Sequence, residues 1–590
     1  MGTPGPDYWQ NRADYTINAR LDTNLHLVTG RVAITYYNNS PYELDFLWLQ
    51  LEQNKYREDA RGTRVSASGS RHDGNITEGM PLGTVTVNGA PATYQVDDTR
   101  LKIDLKVPVP PKNGKVELAM DYSFTIPEKG ADRMGRIRID SSWVYTIAQW
   151  YPRMAVLDPG QGWNNLPYLG AGEFYADYGT YDYTITVPSN MVVAGSGVLQ
   201  NAREVLPKEV SDRLKTAASS DSTQWIIRPE EAGAFRFGNR ASASWRFKME
   251  NTRDVAWACS SHFLWDAAPA RLPSGRKVTT QSYYPPASLD GWTRATEYAI
   301  ASLEHYSEMW YEYPYSTLSN VAGTVGGMEY PGLHFTEYNR SGNRLWVTLD
   351  HEVAHNWFPM IVGSNERQHA WMDESFVTFM GFYAARAFEG ADYTSYISNH
   401  QNMLERFGDA DFVPVMTPPR DIPNGFSDVV YFKPAIALRV LREYVLGPSR
   451  FDPAFKHYIK SWAYKHPQPE DFFRCMENAS GDQLGWFWQS WFYKNEKLDQ
   501  EITSATQRAE GELNILLKNR LDMPMPVVLQ LTFEDGTTTH HRLPVEIWNQ
   551  GNTHRLQLNY EKRVASLMID PDHWLPDLER RNNRWDFDRQ

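Results

Sequence analysis

Short segments in which apolar and polar residues alternate open the chain: LHLVTGRVAITYY, ELDFLWLQL, TVTVNGAPATYQV and KVELAMDYSF, between about Tyr15 and Ile126. A period of two with turn residues between the runs predicts antiparallel strands, and Asn88-Gly89 supplies the positive φ angles of a two-residue hairpin. Strand signals resume at YDYTITVP (Tyr181 to Pro188) and ASWRFKME (Ala243 to Glu250), separated by the polar stretch EVSDRLKTAASSDST. That stretch reads as an insertion within an antiparallel β-sandwich or saddle.

Beyond about Asp254 the period changes. Ile300, Leu303, Tyr306 and Trp310 place one apolar stripe on a helix that Pro314 ends. A second helix is expected to carry Leu345, Leu349 and Trp357 on one side. Pro434 fits the first turn of a third, with Ile436, Val440, Leu441, Tyr444 and Val445 at helical spacing and Gly447 as a left-handed C-terminal cap. The stretch to about Asn495 therefore reads as dominated by helix. Alternation returns in ELNILLKN, MPVVLQLTF, HRLQLNYE and VASLMIDP, with Asp535-Gly536 as a hairpin turn, and predicts a small C-terminal β-sandwich. The expected division is an N-terminal β domain over 1–252, a mainly α unit over 253–498 and a β-sandwich over 499–590, a multidomain α+β chain.

Composition narrows the function classes. At 590 residues, with 41% hydrophobic and 22% charged residues, the chain has material for several real cores. A formal net charge of −13 argues against nucleic acid as the main partner. The two cysteines, Cys259 and Cys475, are too few for a disulfide framework and read as buried thiols. No apolar run reaches the 18 residues of a membrane span, so no membrane insertion is expected, and the opening MGTPGPDYWQ lacks the pattern of a signal peptide. Such an opening also suits a chain whose leader has been removed, so cytoplasmic, periplasmic and secreted locations stay open. Oligomeric state is likewise unread.

One segment carries the chemistry: His351-Glu352-Val353-Ala354-His355, inside the helical pattern LWVTLDHEVAHNWF. Residues i and i+4 share a helix face, so both imidazoles reach one metal ion while Glu352 projects beside them toward a water. A catalytic zinc needs a third protein ligand and an open position. The histidine that metzincins supply six residues on is here Ile361, and their glycine is Phe358, which closes that route. Glu374 in WMDESF stands nineteen residues after His355, far enough for the chain to turn through Gly363-Ser364-Asn365 and return on a second helix.

HEVAHNWF followed at this spacing by WMDESF resembles the zinc signature of the M1 aminopeptidases, HExxHxWF with eighteen residues between the second histidine and a Glu. The resemblance implies His351, His355 and Glu374 as ligands of one catalytic Zn2+ ion and Glu352 as general base. Gly326-Gly327-Met328-Glu329-Tyr330 is similar to the family's G-x-M-E-N motif. There the glycines let substrate backbone approach and Glu329 would bind a free α-ammonium; Tyr330 stands where asparagine is usual. Tyr431-Phe432-Lys433-Pro434-Ala435 resembles the Y-x-K-G-A segment, which implies Tyr431 as donor to the developing oxyanion, with proline in place of glycine. Thr146-Ile147-Ala148-Gln149, with Arg153 following, resembles a T-x-x-Q stretch whose glutamine lines the first subsite. Glu173 is a further polar candidate without a role, and Asp350 and Asp373, next to ligands, are candidate acceptors for imidazole N–H groups.

The resemblance covers nearly the whole chain and implies a gluzincin with an N-terminal β domain, a thermolysin-like mainly α catalytic domain and a β-sandwich, a short form without the large helical domain of longer members. The expected function is zinc-dependent hydrolysis of the first peptide bond of peptides with a free N-terminus. Alternatives are a thermolysin-like endopeptidase, a zinc hydrolase acting on a non-peptide such as a lipid epoxide, and a non-catalytic scaffold on the same fold. The preferred N-terminal side chain is not legible.

Overall fold

A computed structural model of the chain describes residues 2–587 apart from 66–75, 129–132, 173, 237, 239, 390–403, 405–406, 408–410 and 509–510. The alternating N-terminal segments form strands. In Arg12–Asp22 the residues Ala13, Tyr15, Ile17, Ala19 and Leu21 are buried and their neighbours face outward, the mark of a sheet covered on one side. This strand pairs antiparallel with Leu27–Asn38, Tyr15 opposite Ile34, and parallel with Gly179–Pro188. Eight strands join in the order Val198–Leu199, Ser242–Thr252, Gly179–Pro188, Arg12–Asp22, Leu27–Asn38, Gly114–Thr125, Leu82–Val87 and Ala90–Pro91. Two four-stranded sheets pack with it around a shared core. The Asn88-Gly89 turn closes as expected, with φ of 48° and 78° and Val87 opposite Ala90.

Strand pairing crosses the division expected at 252/253 in both directions. Trp257–Ser260 lies between Val192–Gly195 and Ser142–Ile147 in an N-terminal sheet. The polar insertion forms most of helix Lys208–Ala217, after the short helix Ala202–Val205, and then Gln224–Ile227 pairs with Leu264–Arg271 at the edge of a different sheet. That sheet has six strands, Gln224–Ile227, Leu264–Arg271, Lys277–Tyr284, Thr317–Gly323, Leu333–Glu337 and Met328–Tyr330 in spatial order. The helix-dominated reading from Asp254 therefore needs correction: the first part of that stretch is a mixed sheet. Leu264–Arg271 is buried at seven consecutive positions, so it carries no alternation that would announce a strand.

Helices then pack against this sheet. The stripe of Ile300, Leu303 and Tyr306 lies on Ala295–Met309, with Trp310 as its C-cap. Leu345 and Leu349 are buried on the next helix, Gly342–Ala354, hereafter the histidine helix. Trp357 is not on it. The chain passes through a wide turn over Asn356–Ile361, in which Phe358 is extended (φ −134°, ψ 117°) ahead of Pro359, and the Trp357 indole donates to the Tyr311 carbonyl at 2.7 Å. Trp371–Glu389, the glutamate helix, returns against the histidine helix. Pro434 sits in the first turn of Lys433–Val440 as expected. Gly447 caps the end of Leu441–Leu446 with a positive φ of 78° as expected, but its ψ of 152° lies outside the left-handed helical region and it also caps the start of Pro448–Trp462.

The last segment forms two sheets of three and four strands around their own core, which includes Leu513, Ile515, Leu517, Val527, Leu529, Leu531 and Leu567. The Tyr444 hydroxyl ties this unit to the helices, accepting from the Val528 N–H at 3.1 Å. Cys259 and Cys475 are free and buried. Among the described residues no helix is long and apolar enough to cross a membrane.

Candidate metal centre

The last two turns of the histidine helix present Thr348, His351, Glu352 and His355, at i, i+3, i+4 and i+7, on one face. The first turn of the glutamate helix brings Glu374 opposite. His351 Nε2 lies 3.1 Å from Glu374 Oε2 and 3.1 Å from His355 Nε2, and His355 Nε2 lies 3.4 Å from Glu374 Oε2. Metal–ligand bonds of about 2.0–2.1 Å at tetrahedral angles require ligand atoms roughly 3.3 Å apart. The triangle has that size, so the three atoms could hold one ion.

Asp373 and Asp350 separate here. His355 Nδ1 is 2.7 Å from Asp373 Oδ1 and 2.9 Å from the Phe358 carbonyl, so both neighbours are acceptors, the proton belongs on Nδ1 and the Nε2 lone pair is left for an ion. Asp350 faces away, accepting from Ser302 Oγ at 2.7 Å and the Tyr306 hydroxyl at 2.8 Å. The acids around His355 give the centre a negative potential. Burial alone would lower its imidazole, yet Glu329, Asp373 and Glu374 hold it well above the usual histidine range. Burial likewise works to raise the Glu374 carboxyl, but the two imidazoles hold it below the usual carboxylate range. Glu352, buried and facing two other carboxylates, is pushed well above that range. A proton shuttle near neutral pH needs a carboxyl raised in this way.

The GGMEY segment runs alongside. Met328–Tyr330 is an edge strand pairing with Leu333–Glu337, Glu329 opposite His334. A Cβ on Gly327 would collide with Glu352 Oε1, and one on Gly326 would stand 3.3 Å from Arg340 Nη2, so the bare backbone allows the close approach. Glu329 is buried with Oε1 3.8 Å from His355 Nδ1, and its carboxyl is raised mainly by burial. Tyr330, the departure from asparagine, is buried with its ring 5.6 Å from that of Phe174 and 5.7 Å from that of Phe335. Tyr431 comes from the wide turn Asp428–Phe432; its hydroxyl donates to Glu374 Oε1 at 2.5 Å and its ring lies 6.1 Å from that of His351.

Thr146 joins the N-terminal sheets to this site: its Cγ2 occupies the space a Cβ on Gly323 would need, and its hydroxyl is 3.3 Å from that of Thr324. Gln149 is buried with φ 49°, and its carbonyl accepts from Gln53 Nε2 at 2.9 Å. None of its hydrogen bonds among the described residues reaches the triad. Glu173 lies outside the described residues. Two groups had no sequence signal. Glu366 is buried, accepts from the Phe174 N–H at 2.7 Å, and is raised to about 7 by burial and by Glu329. Arg340 lines a cavity of about 280 Å³ together with Gly326, Trp346, His351, Glu352 and Tyr431.

Residues 294–491 match the peptidase family M1 domain. The chain is 30% identical over 220 residues to aminopeptidase M1-D of Oryza sativa subsp. japonica, a match over 34% of this chain and 25% of that protein. The chain thus spans about a quarter of the length of this curated relative. Its fold is similar to that of Legionella pneumophila aminopeptidase A, solved in complex with aspartic acid, with a TM-score of 0.64, 13% identity, and 96% of this chain and 59% of that chain covered. It is also similar to a point mutant of an M1 zinc metallopeptidase from Deinococcus radiodurans, solved bound to a Tyr-Ser-Ala substrate, with a TM-score of 0.56, 16% identity, and 82% and 94% covered.

Proposed function

We propose that the chain, whose residues 294–491 match the peptidase family M1 domain, is a zinc-dependent aminopeptidase. It removes the first residue of peptides that carry a free N-terminus. The observation that carries this reading is the convergence of His351 Nε2, His355 Nε2 and Glu374 Oε2 within 3.1–3.4 Å of one another, with the Glu329 carboxylate beside them. The reading includes a thermolysin-like catalytic unit over 253–498, between β units over 1–252 and 499–590.

The two imidazoles and Glu374 would hold the ion, a borderline-soft cation suited to two nitrogens and a carboxylate oxygen. When bound, zinc supplies Lewis acidity that polarises the scissile carbonyl and acidifies water. Glu352 takes the proton of the attacking water and hands it to the leaving amine, a transfer suited to a carboxyl raised by burial. The Tyr431 hydroxyl gives up its bond to Glu374 and donates to the carbonyl oxygen as that atom gains charge, a bond stronger in the transition state than in the substrate. Glu329 binds the α-ammonium as a charge-assisted pair and so fixes the cut at the first bond. An endopeptidase would have no use for that buried carboxylate.

Leu-Gly-Gly-amide and its N-acetylated form, incubated with zinc-loaded protein, test the reading. The free-amine peptide is expected to lose leucine and the acetylated one to stay intact, with activity abolished by chelation and restored by zinc. Equal cleavage of both, or internal cleavage of longer peptides, would overturn it.

A further inference from the structure

The site has two chemically different ends: Arg340 lines the cavity beside the triad, and Glu329 lies outside that lining. Glu329 stands near His355, and Arg340 stands near Thr348, seven residues earlier on the same helix face. A helix rises about 1.5 Å per residue, so the two ends are separated by roughly 10 Å along the axis. Two extended residues span about 7 Å, and an acidic side chain adds the remainder. Glu352, which must reach the leaving amine, lies between them. A peptide anchored by its ammonium at Glu329 and cut over the triad therefore carries its second residue toward Arg340.

Among the described residues Arg340 carries the one permanent positive charge in the lining of this cavity, whose neighbouring walls include Trp346, Val347, Val377 and Phe432. Its guanidinium is held in place and incompletely paired. Nη1 donates to Thr348 Oγ1, while Nε is 3.6 Å from Glu337 Oε2, too far for a hydrogen bond, and that glutamate is 41% exposed. Among the described residues Nη2 makes no hydrogen bond, and it stands 3.3 Å from where a Cβ on Gly326 would sit, facing the strand along which substrate would run. Asp350, the other charged lining residue outside the reacting groups, is occupied by Ser302 and Tyr306. A planar fork with one edge pinned and another open suits a carboxylate.

We propose that Arg340 is a specificity-determining residue that binds a carboxylate on the second residue of the substrate, so the enzyme prefers peptides with that chemistry. The carboxylate has two sources, an aspartate or glutamate side chain at the second position or the C-terminal carboxylate of a dipeptide. The inference rests on the aminopeptidase reading above and names the class of peptide it acts on.

Two peptide pairs given to the zinc-loaded full chain test it. Leu-Asp-Gly-amide against Leu-Asn-Gly-amide isolates the side chain, and Leu-Gly against Leu-Gly-amide isolates the C-terminal carboxylate. A charge-assisted hydrogen bond predicts kcat/KM about tenfold higher for the carboxylate member of at least one pair. Arg340→Gln should bring that ratio close to one, and Arg340→Lys should keep part of it. Calorimetric binding of the same pairs to the Glu352→Gln protein should show the same preference without turnover. Cleavage of all four peptides at equal efficiency, or equal binding within both pairs, overturns the proposal while leaving the aminopeptidase reading intact. A ratio that survives Arg340→Gln removes Arg340 from the recognition. Failure to cleave any of the four sinks the aminopeptidase reading, and the calorimetry then decides the carboxylate preference alone.

Discussion

Two buried clusters of charged side chains lie in this molecule, and their difference shows what marks a cation site. In the N-terminal part, Arg153 Nη1 donates to Asp254 Oδ2 at 2.6 Å and Nη2 to Glu52 Oε1 at 2.5 Å, while the Tyr151 hydroxyl donates to Asp254 Oδ1 at 2.5 Å. Arg367, from the stretch that matches the family domain, approaches Glu52 at 3.8 Å. Both carboxylates there accept from donors of the chain itself, although Glu52 Oε2 makes no hydrogen bond among the described residues, and together they hold the guanidinium charged against its burial. In the second cluster two imidazole nitrogens and a carboxylate oxygen lie close together, with Asp373 holding the His355 proton on Nδ1, away from them. The first cluster contains its cation; the second is shaped to receive one. Burial and charge are common to both, and only the direction of the lone pairs separates them.

The comparison can be broken in order of effect. Glu352→Gln leaves all three acceptors in place, so zinc content by metal analysis should be unchanged while kcat falls by about 10³-fold; near-normal turnover would remove Glu352 from the mechanism. Arg153→Met takes the internal cation from the first cluster and strands two buried carboxylates, a loss of about 3–5 kcal/mol in urea unfolding. Zinc content of the folded variant should stay at one per chain; loss of metal in step with stability would show that the clusters are not separate. Tyr431→Phe should lower kcat by about 10²-fold with KM little changed, the signature of a donor used in the transition state. Asp373→Asn should weaken zinc affinity by about tenfold to a hundredfold in a competition titration, and Asp350→Asn should not. Equal effects of the last two would mean that adjacency to a ligand, rather than the 2.7 Å contact, is what counts.

The candidate metal centre is legible because the residues that the structure brings together there sit at intervals that helix geometry dictates: His351 and His355 one turn apart, and Glu374 at a distance the chain needs to turn back. The outer strands were legible by alternation, since one of their faces meets water. The inner sheet was not, because Leu264–Arg271 is buried on both faces and its sequence keeps no period. Trp357 fits the apolar stripe of the histidine helix by spacing alone, but Pro359 two residues on is the signal that the helix has already ended. Asp350 and Asp373 are equivalent as neighbours of a ligand; which one meets an imidazole depends on where the helices place Ser302, Tyr306 and His355. Arg340 belongs to no motif and gains meaning only from the cavity it lines.

The short strand Gln224–Ile227 carries a mechanical consequence. It leaves the N-terminal part and adds itself to the edge of the sheet under the histidine helix, Gln224 opposite Ala267 and Trp225 opposite Asp266. Trp257–Ser260 makes the reverse crossing. The two bodies are laced together at two seams, and swinging them apart would break ladder hydrogen bonds along both. Any reorientation of one part against the other would have to unzip those ladders first.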